Sequence, residues 1–340
     1  MSSMDRVLTT LDHEEPDRVP CFLALTMHGA SELGMSLREY FSSGENVARG
    51  QMALHRRYGG DFLLPFFYGA LELEAWGGET VFREDGPPNS GRPPVPSLEE
   101  IDSLEPPEVA SSDRLGEMLR ATRILKEEVG EEVPIVGVVV SPFSLPVMQL
   151  GFDLYLELML LHPDRFWSLM RANQEFCVEW GNRQLEEGAT AICYFDPVSS
   201  ATVTTLQQYR DMGKRVASST ISRTDGAVVT HFASGRCLDR LEEVRETGTV
   251  GIGVSCLESL EELKERADGL TLIGNLNGVE MRRWTPSETE GKVEEAVKTA
   301  GPGGGFVLSD NHGEIPFQVG RSTLEAIVRA NRRHGTYPIG

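Results

Sequence analysis

Cysteine, long apolar runs and positive charge are all scarce in this chain, and each scarcity excludes something. The five cysteines (Cys21, Cys177, Cys193, Cys237, Cys256) are odd in number, scattered and without a CxxC pair. That argues against a disulfide framework and for a reducing, cytoplasmic setting. No stretch of 18 apolar residues occurs, so no membrane span is expected. The first residues, Met1-Ser2-Ser3-Met4-Asp5-Arg6, lack the basic region and apolar run of a secretory signal. Lysine and arginine total 32 against 52 aspartates and glutamates, a net charge of −20. Such a surface repels phosphate backbones, and no basic patch offsets it, so nucleic acid is not an expected partner. The charge serves solubility, or else a charge-complementary protein partner. GxxxxGK and GxSxG are absent too, so neither a phosphate cradle nor a hydrolase elbow has support.

What the 340 residues do hold, 40% of them hydrophobic, is a repeated beat of short apolar run, turn and amphipathic helix. Eight runs can be counted: Arg18–Leu25, Asp61–Phe66, Pro134–Ser141, Ala191–Asp196, Ala227–Phe232, Val250–Ser255, Leu270–Asn275 and Gly305–Asp310. Most are nearly continuous in apolar character, as strands buried on both faces are. Helices are expected over Ser43–Tyr58, Asp113–Val129, Asp164–Glu187, Leu257–Ala267, Ser287–Ala300 and Ser322–Arg333, the first three ending at glycine. Strands alternating with helices imply parallel pairing, and eight units close a (β/α)8 TIM barrel of one domain, where an open sheet shows five or six.

One segment breaks the beat. Leu71–Pro107, between the second and third strands, reads as a long excursion. It holds an expected hairpin, Leu73–Phe82 around Gly77-Gly78, and a proline-rich run. It is either a surface loop or a flap over the barrel mouth. Asp5–Asp12 reads as a short helix under the barrel floor, and Gly303-Gly304-Gly305 as a floor loop.

In such a barrel the residues after each strand meet at one mouth. The list is His28, Tyr68, Phe143, Asp196, His231, Cys256, Asn275, Asn277, Asp310 and His312. His231, Asp196 and His312 are the candidates for acid–base chemistry. His28, Tyr68, Phe143, Asn275, Asn277 and Asp310 are candidates for substrate contact. A metal reading takes His231, Cys256 and His312, whose donor types suit zinc with an open position, although no tight ligand spacing supports it.

Several stretches have a familiar ring. Glu15-Pro16-Asp17-Arg18-Val19-Pro20, Glu84-Asp85-Gly86-Pro87-Pro88, Pro142-Phe143-Ser144-Leu145, Leu161-His162-Pro163-Asp164 and His312-Gly313-Glu314-Ile315-Pro316 occur in that order. On these the chain resembles the uroporphyrinogen decarboxylase superfamily, which also holds corrinoid-dependent methyltransferases. The decarboxylases carry an arginine-rich stretch after strand one and an aspartate after strand two; here stand Leu25-Thr26-Met27-His28-Gly29-Ala30 and Tyr68. The resemblance therefore leans to the methyltransferase branch. It implies a component that moves a methyl group between a small-molecule donor or acceptor and a corrinoid carried by a partner protein. Thiol-methylating members hold zinc with a His-x-Cys pair and a second cysteine; His231-Phe232-Ala233 and His312 stand at those places, with Cys256 nearby. Zinc is thus left open, as is a homodimer. The alternatives are a decarboxylase or lyase acting on another ring acid, and a catalytically silent corrinoid- or tetrapyrrole-binding protein.

Overall fold

The computed structural model describes all 340 residues, Met1–Gly340. Its strands are β1 Cys21–Phe22, β2 Thr80–Val81, β3 Asn89–Ser90, β4 Val136–Val140, β5 Ala191–Phe195, β6 Ala227–His231, β7 Gly251–Gly253, β8 Thr271–Leu276 and β9 Phe306–Asp310. Seven of them form one curled sheet in the order β1-β9-β8-β7-β6-β5-β4, and all its pairings are parallel. The gap between β4 and β1 is filled by residues 61–66. There Leu63 bridges Ile135 in parallel, and the Asp61 N–H donates to the Cys21 carbonyl at 2.9 Å. The ring closes as a (β/α)8 barrel. The second expected strand is present only as that bridge.

The helices lie close to their expected places, at Gly44–Tyr58, Asp113–Val129, Pro163–Glu186, Leu260–Arg266, Pro286–Ala300 and Arg321–His334. Local chemistry sets their ends. The Ser43 side chain accepts from the Asn46 N–H, and Gly59 closes that helix at φ 63°. Thr285 and Glu288 form a capping box, with Pro286 in the first turn. Their apolar faces press on the sheet: Phe176, Cys177 and Trp180 share a core with Ile192 and Tyr194.

The barrel floor is a closed polar network. Asp61, fully buried, pairs with Arg6 at 2.7 Å and Arg18 at 2.7 Å and accepts from the Cys21 N–H at 2.8 Å. Arg6 belongs to the helix Ser3–Leu11, so this network fastens the expected floor helix to the barrel. Beside it Gly303, Gly304 and Gly305 all have positive φ (76°, 70° and 63°). A Cβ on Gly304 would lie 2.4 Å from the Glu14 carbonyl oxygen, so only glycine fits.

Above Leu63 the seam is closed by side chains. The Val138 N–H donates to Gln184 Oε1, and Gln184 Nε2 returns a bond to the Val138 carbonyl, both at 2.9 Å. The Val140 N–H donates to Glu72 Oε1 at 2.9 Å. Across the gap Gln51 donates to the Leu25 carbonyl and accepts from the Leu64 N–H.

The excursion corrects one expectation. No hairpin forms over Leu73–Phe82. Ala70–Ala75 is helical, built from strong helix formers, and it buries Leu71, Glu72 and Leu73. Gly77, at φ 81°, follows the end of that helix and makes no hairpin turn. The hairpin lies further on, pairing Thr80 with Ser90 and Val81 with Asn89. It leans on the mouth: Phe82 packs on Tyr68, Arg38 stacks over Phe82 at 4.5 Å, and Gln318 donates to the Asp85 carbonyl.

Two outcomes follow from these contacts. Asp61→Ala strands two arginines and should lower the unfolding free energy by about 3–5 kcal/mol in urea titration; a loss under about 1 kcal/mol would show the floor network to be dispensable. Burial pushes the Glu72 carboxyl from its ordinary 4.5 up to about 8, so folding favours the protonated form. That stability is complete below pH 4.5 and is lost as pH rises towards 8. Glu72→Gln keeps the acceptor for Val140 and should flatten the fall of Tm across this range; an unchanged slope refutes the assignment.

Candidate active site at the barrel mouth

Strand alternation decides which residues reach the lumen. On β5, Ile192 and Tyr194 pack against the helix layer, so Cys193 and Phe195 face inward. On β8, Leu272 and Leu276 lie in the helix-side core, leaving Ile273 and Asn275 inward. By the same count Val229 and His231 of β6 face the lumen. Barrel interiors are ordinarily filled by layered side chains. Here Phe22, Phe66, Cys193, Phe195, Val229, Ile273 and Asn275 all stay partly exposed, whereas most of their outward neighbours are buried. The strands are not buried on both faces, as their composition suggests; the lumen is open.

His231 closes the top of this lumen. Its ring stacks on Phe195, with centroids 5.8 Å apart and an interplanar angle of 22°. It lies flat against Gly253, where a Cβ would come within 2.2 Å of Cδ2, so glycine there makes the room. Burial drives its pKa down to about 4, and His312 adds to the effect, so the ring is neutral. The Ala233 N–H donates to Nδ1 at 2.9 Å, which places the proton of the neutral ring on Nε2. His312 is half-buried and likewise held neutral by burial, and its Nδ1 is buried without a partner.

A pair of carboxyls stands beside them. Asp310 Oδ2 accepts from the N–H groups of His312 (2.8 Å) and Gly313 (3.0 Å), while Oδ1 is buried without a partner. Burial raises Asp310 to about 6 and Glu314 to about 7, and Asp310 pushes Glu314 further in the same direction. Thr26 hydrogen-bonds Glu314. Glu314 was not among the expected site residues, although it lies within His312–Pro316; it sits four residues beyond the strand end, past the positions that strand-end counting reaches.

The other expected residues separate. Asp196 is fully buried, accepts from the Ser141 and Ser144 hydroxyls at 2.7 Å each, and raises the pKa values of Tyr155, Tyr194 and Tyr209 in the helix layer. It ties two loops together from behind the sheet. Phe143 is packed against Tyr155 and Phe166. Tyr68 is buried against Phe41, and its hydroxyl is held by Glu74 and Arg114. His28 is buried beside Phe317, both ring nitrogens unpartnered. Asn277 Oδ1 caps the N–H groups of Val279 and Glu280 at 3.1 Å. Asn275, Asn277 and Cys256 line a cleft of about 530 Å³ that runs outward from the mouth between the helices Leu260–Arg266 and Pro286–Ala300.

An open-topped (β/α)8 barrel whose polar groups gather at the strand C-termini is the architecture of barrel enzymes. The chain belongs to the uroporphyrinogen decarboxylase (URO-D) family, whose profile matches residues 2–334. It is 24% identical to a methylcobamide:CoM methyltransferase, MtbA, of Methanosarcina mazei over 88% of this chain and 89% of that protein. It is also 24% identical to the uroporphyrinogen decarboxylase of Magnetococcus marinus over 82% and 80% of the two chains. Among solved structures, a methyltransferase from Methanosarcina mazei superposes with a TM-score of 0.85 at 22% identity, covering 98% of this chain and 99% of that one. No helix is long and apolar enough to cross a membrane.

Zinc, as the resemblance implied it, does not fit these residues. No three histidine, cysteine or acidic side chains converge into a metal-holding group. His231 presents an N–H where a ligand needs a lone pair. Cys256 lies in the side cleft, accepts from Asn311 Nδ2 at 3.2 Å, and has its thiol pKa raised by burial. His231→Ala should therefore leave zinc retention unchanged by metal analysis of protein purified without chelator. Stoichiometric zinc that this variant loses would restore the ligand set.

Proposed function

We propose that the chain is a corrinoid-linked methyltransferase component, exchanging a methyl group between a small molecule and a corrinoid carried by a partner protein. The observation that carries this reading is the uncharged lumen ending at a neutral histidine. None of the 32 lysines and arginines lies on any strand of the barrel sheet. A ring acid bearing several carboxylates needs cationic anchors, and the decarboxylase alternative would have to draw them from loops outside the sheet. The methylcobamide:CoM relatives support the methyl-transfer side of the choice.

The corrinoid, when docked by its partner, supplies the cobalt that takes or gives the methyl group. The chain's part is to orient and to exclude water. The open lumen receives the small molecule, and the hairpin held by Gln318 and Asp85 flanks the entrance. His231 Nε2–H donates to the heteroatom that bears or receives the methyl group. Charge developing on that atom is stabilised most in a dry pocket. His312 stands second, and Asp196 positions the loops after β4 and β5 without touching the reactants.

The cobalt absorbance of a reduced or methylated corrinoid partner reports the exchange directly. His231→Ala should slow it at least about 100-fold while leaving Tm within a few degrees of wild type. Silence of the wild-type protein with every methoxy compound, methylamine, thiol and folate offered would end this reading.

A further inference from the structure

The lumen's composition says more about its occupant than the mouth does. Its wall joins Ala24, Leu64 and Val138 with Phe22, Phe66, Cys193 and Phe195 in one apolar cluster. Phe22 also meets Phe62 with centroids 4.9 Å apart, so aromatic faces and edges line one side. The partly exposed members are the three phenylalanines, Cys193 and Val136, whereas a packed core buries its large apolar side chains. Large apolar surfaces left wet inside a concave site are what a ligand covers. The hydrogen-bonding groups gather at the upper end: the His231 Nε2–H, Asn275 and the hydrogen-bonded Thr26–Glu314 pair.

Charge narrows the choice. An anionic group entering this lumen meets no lysine or arginine on the barrel strands and approaches the carboxyls of Asp310 and Glu314. A cationic group is drawn to the Asp310 and Glu314 carboxyls at the mouth, but deeper in the lumen it would give up water for phenylalanine surface, since Asp196 is turned away and already held by two serines. Both ions lose solvation without adequate return. An uncharged ring loses nothing polar, gains edge-to-face contacts with phenylalanines, and can offer one oxygen to the donor at the top.

We infer that the lumen binds an uncharged methoxylated arene, its ring lying among Phe22, Phe66 and Phe195 and its oxygen accepting from His231. This rests on reading the lumen as the site of methyl exchange. A simple molecule of this class is 2-methoxyphenol, one ring with one methoxy group. The same lumen rejects 4-methoxybenzoate, which differs chiefly by a carboxylate. Cys193, midway along β5 and inward-facing, marks the depth to which the ring descends.

Calorimetric titration of the full-length protein at pH 7 tests this without any corrinoid. 2-Methoxyphenol should bind saturably, with 4-methoxybenzoate and 4-methoxybenzylamine each at least about tenfold weaker, a gap of 1.4 kcal/mol. Cys193→Phe, which fills the lumen from below, should abolish binding, and Phe66→Ala should weaken it at least about fivefold by removing one aromatic wall. Melting curves check that each variant is folded, and either one suffices if the other is not. Equal or tighter binding of a charged probe, no binding of 2-methoxyphenol, or wild-type affinity in folded Cys193→Phe overturns the inference. The cobalt assay separates the two claims. Ring binding with no cobalt change under any donor supports the lumen's preference and sinks methyl transfer. Cobalt change with a thiol or amine, and no ring binding, does the opposite.

Discussion

Between Leu63 and Ile135 the barrel is joined by one backbone bridge, and above that point the joint is made by amide and carboxyl side chains. Buried backbone N–H and C=O groups must be paired, and the β4 edge has lost its partner strand at Val138 and Val140. Gln184 supplies both a donor and an acceptor to Val138, and Glu72 an acceptor to Val140. Gln51 does the same between Leu25 and Leu64. Because these side chains replace a ladder, the chain after Leu64 is free to leave the sheet. It departs into the helix Ala70–Ala75, which carries Glu72 back to the seam, and then into the β2–β3 hairpin beside the mouth. A fully paired second strand would hold the wall tighter and leave less space in the lumen.

The Asp61 network at the floor and the Asp310–His312 group at the mouth differ in how completely their polar atoms are satisfied. At the floor, Asp61 accepts from two arginines, Cys21 and Ser3 together. At the mouth, Asp310 Oδ1 and His312 Nδ1 are buried with no partner at all, as are both ring nitrogens of His28. Leaving such groups unpaired costs on the order of 1–3 kcal/mol each. The floor thus carries the stability, and the mouth holds capacity in reserve for something that arrives from outside.

The fold was legible because outward-facing positions dominate the pattern. Ile192, Tyr194, Leu272, Leu276, Phe306 and Leu308 all press on helices, and that face alone makes each strand read as apolar. The same continuity hid the lumen, since Cys193, Phe195 and Val229 are apolar too and composition does not show that they stay wet. Position after a strand was a weaker guide. Asp196 follows Phe195, but alternation turns its carboxylate to the helix side, whereas His231 ends its strand on the inner count. Phe143 and Tyr68 lie a few residues beyond their strands, where the loop has already folded back into aromatic packing. Gly77-Gly78 suggested a hairpin turn, yet the Ala-Leu-Glu-Leu-Glu-Ala run before it is better satisfied as a helix that delivers Glu72. That need arises from β4 and is invisible locally.

One hydrogen bond sets what the His231 ring can do. The Ala233 N–H aimed at His231 Nδ1 fixes the ring as a donor at Nε2. That donor stands above a lumen whose wall is mostly apolar. A site of this kind can polarise an oxygen but offers a sulfonate or a carboxylate no cation on the barrel strands. The strongly negative exterior deepens that bias, because anions are opposed before they reach the mouth. Recognition therefore passes to shape and to a single directed N–H, which favours small uncharged molecules over ions.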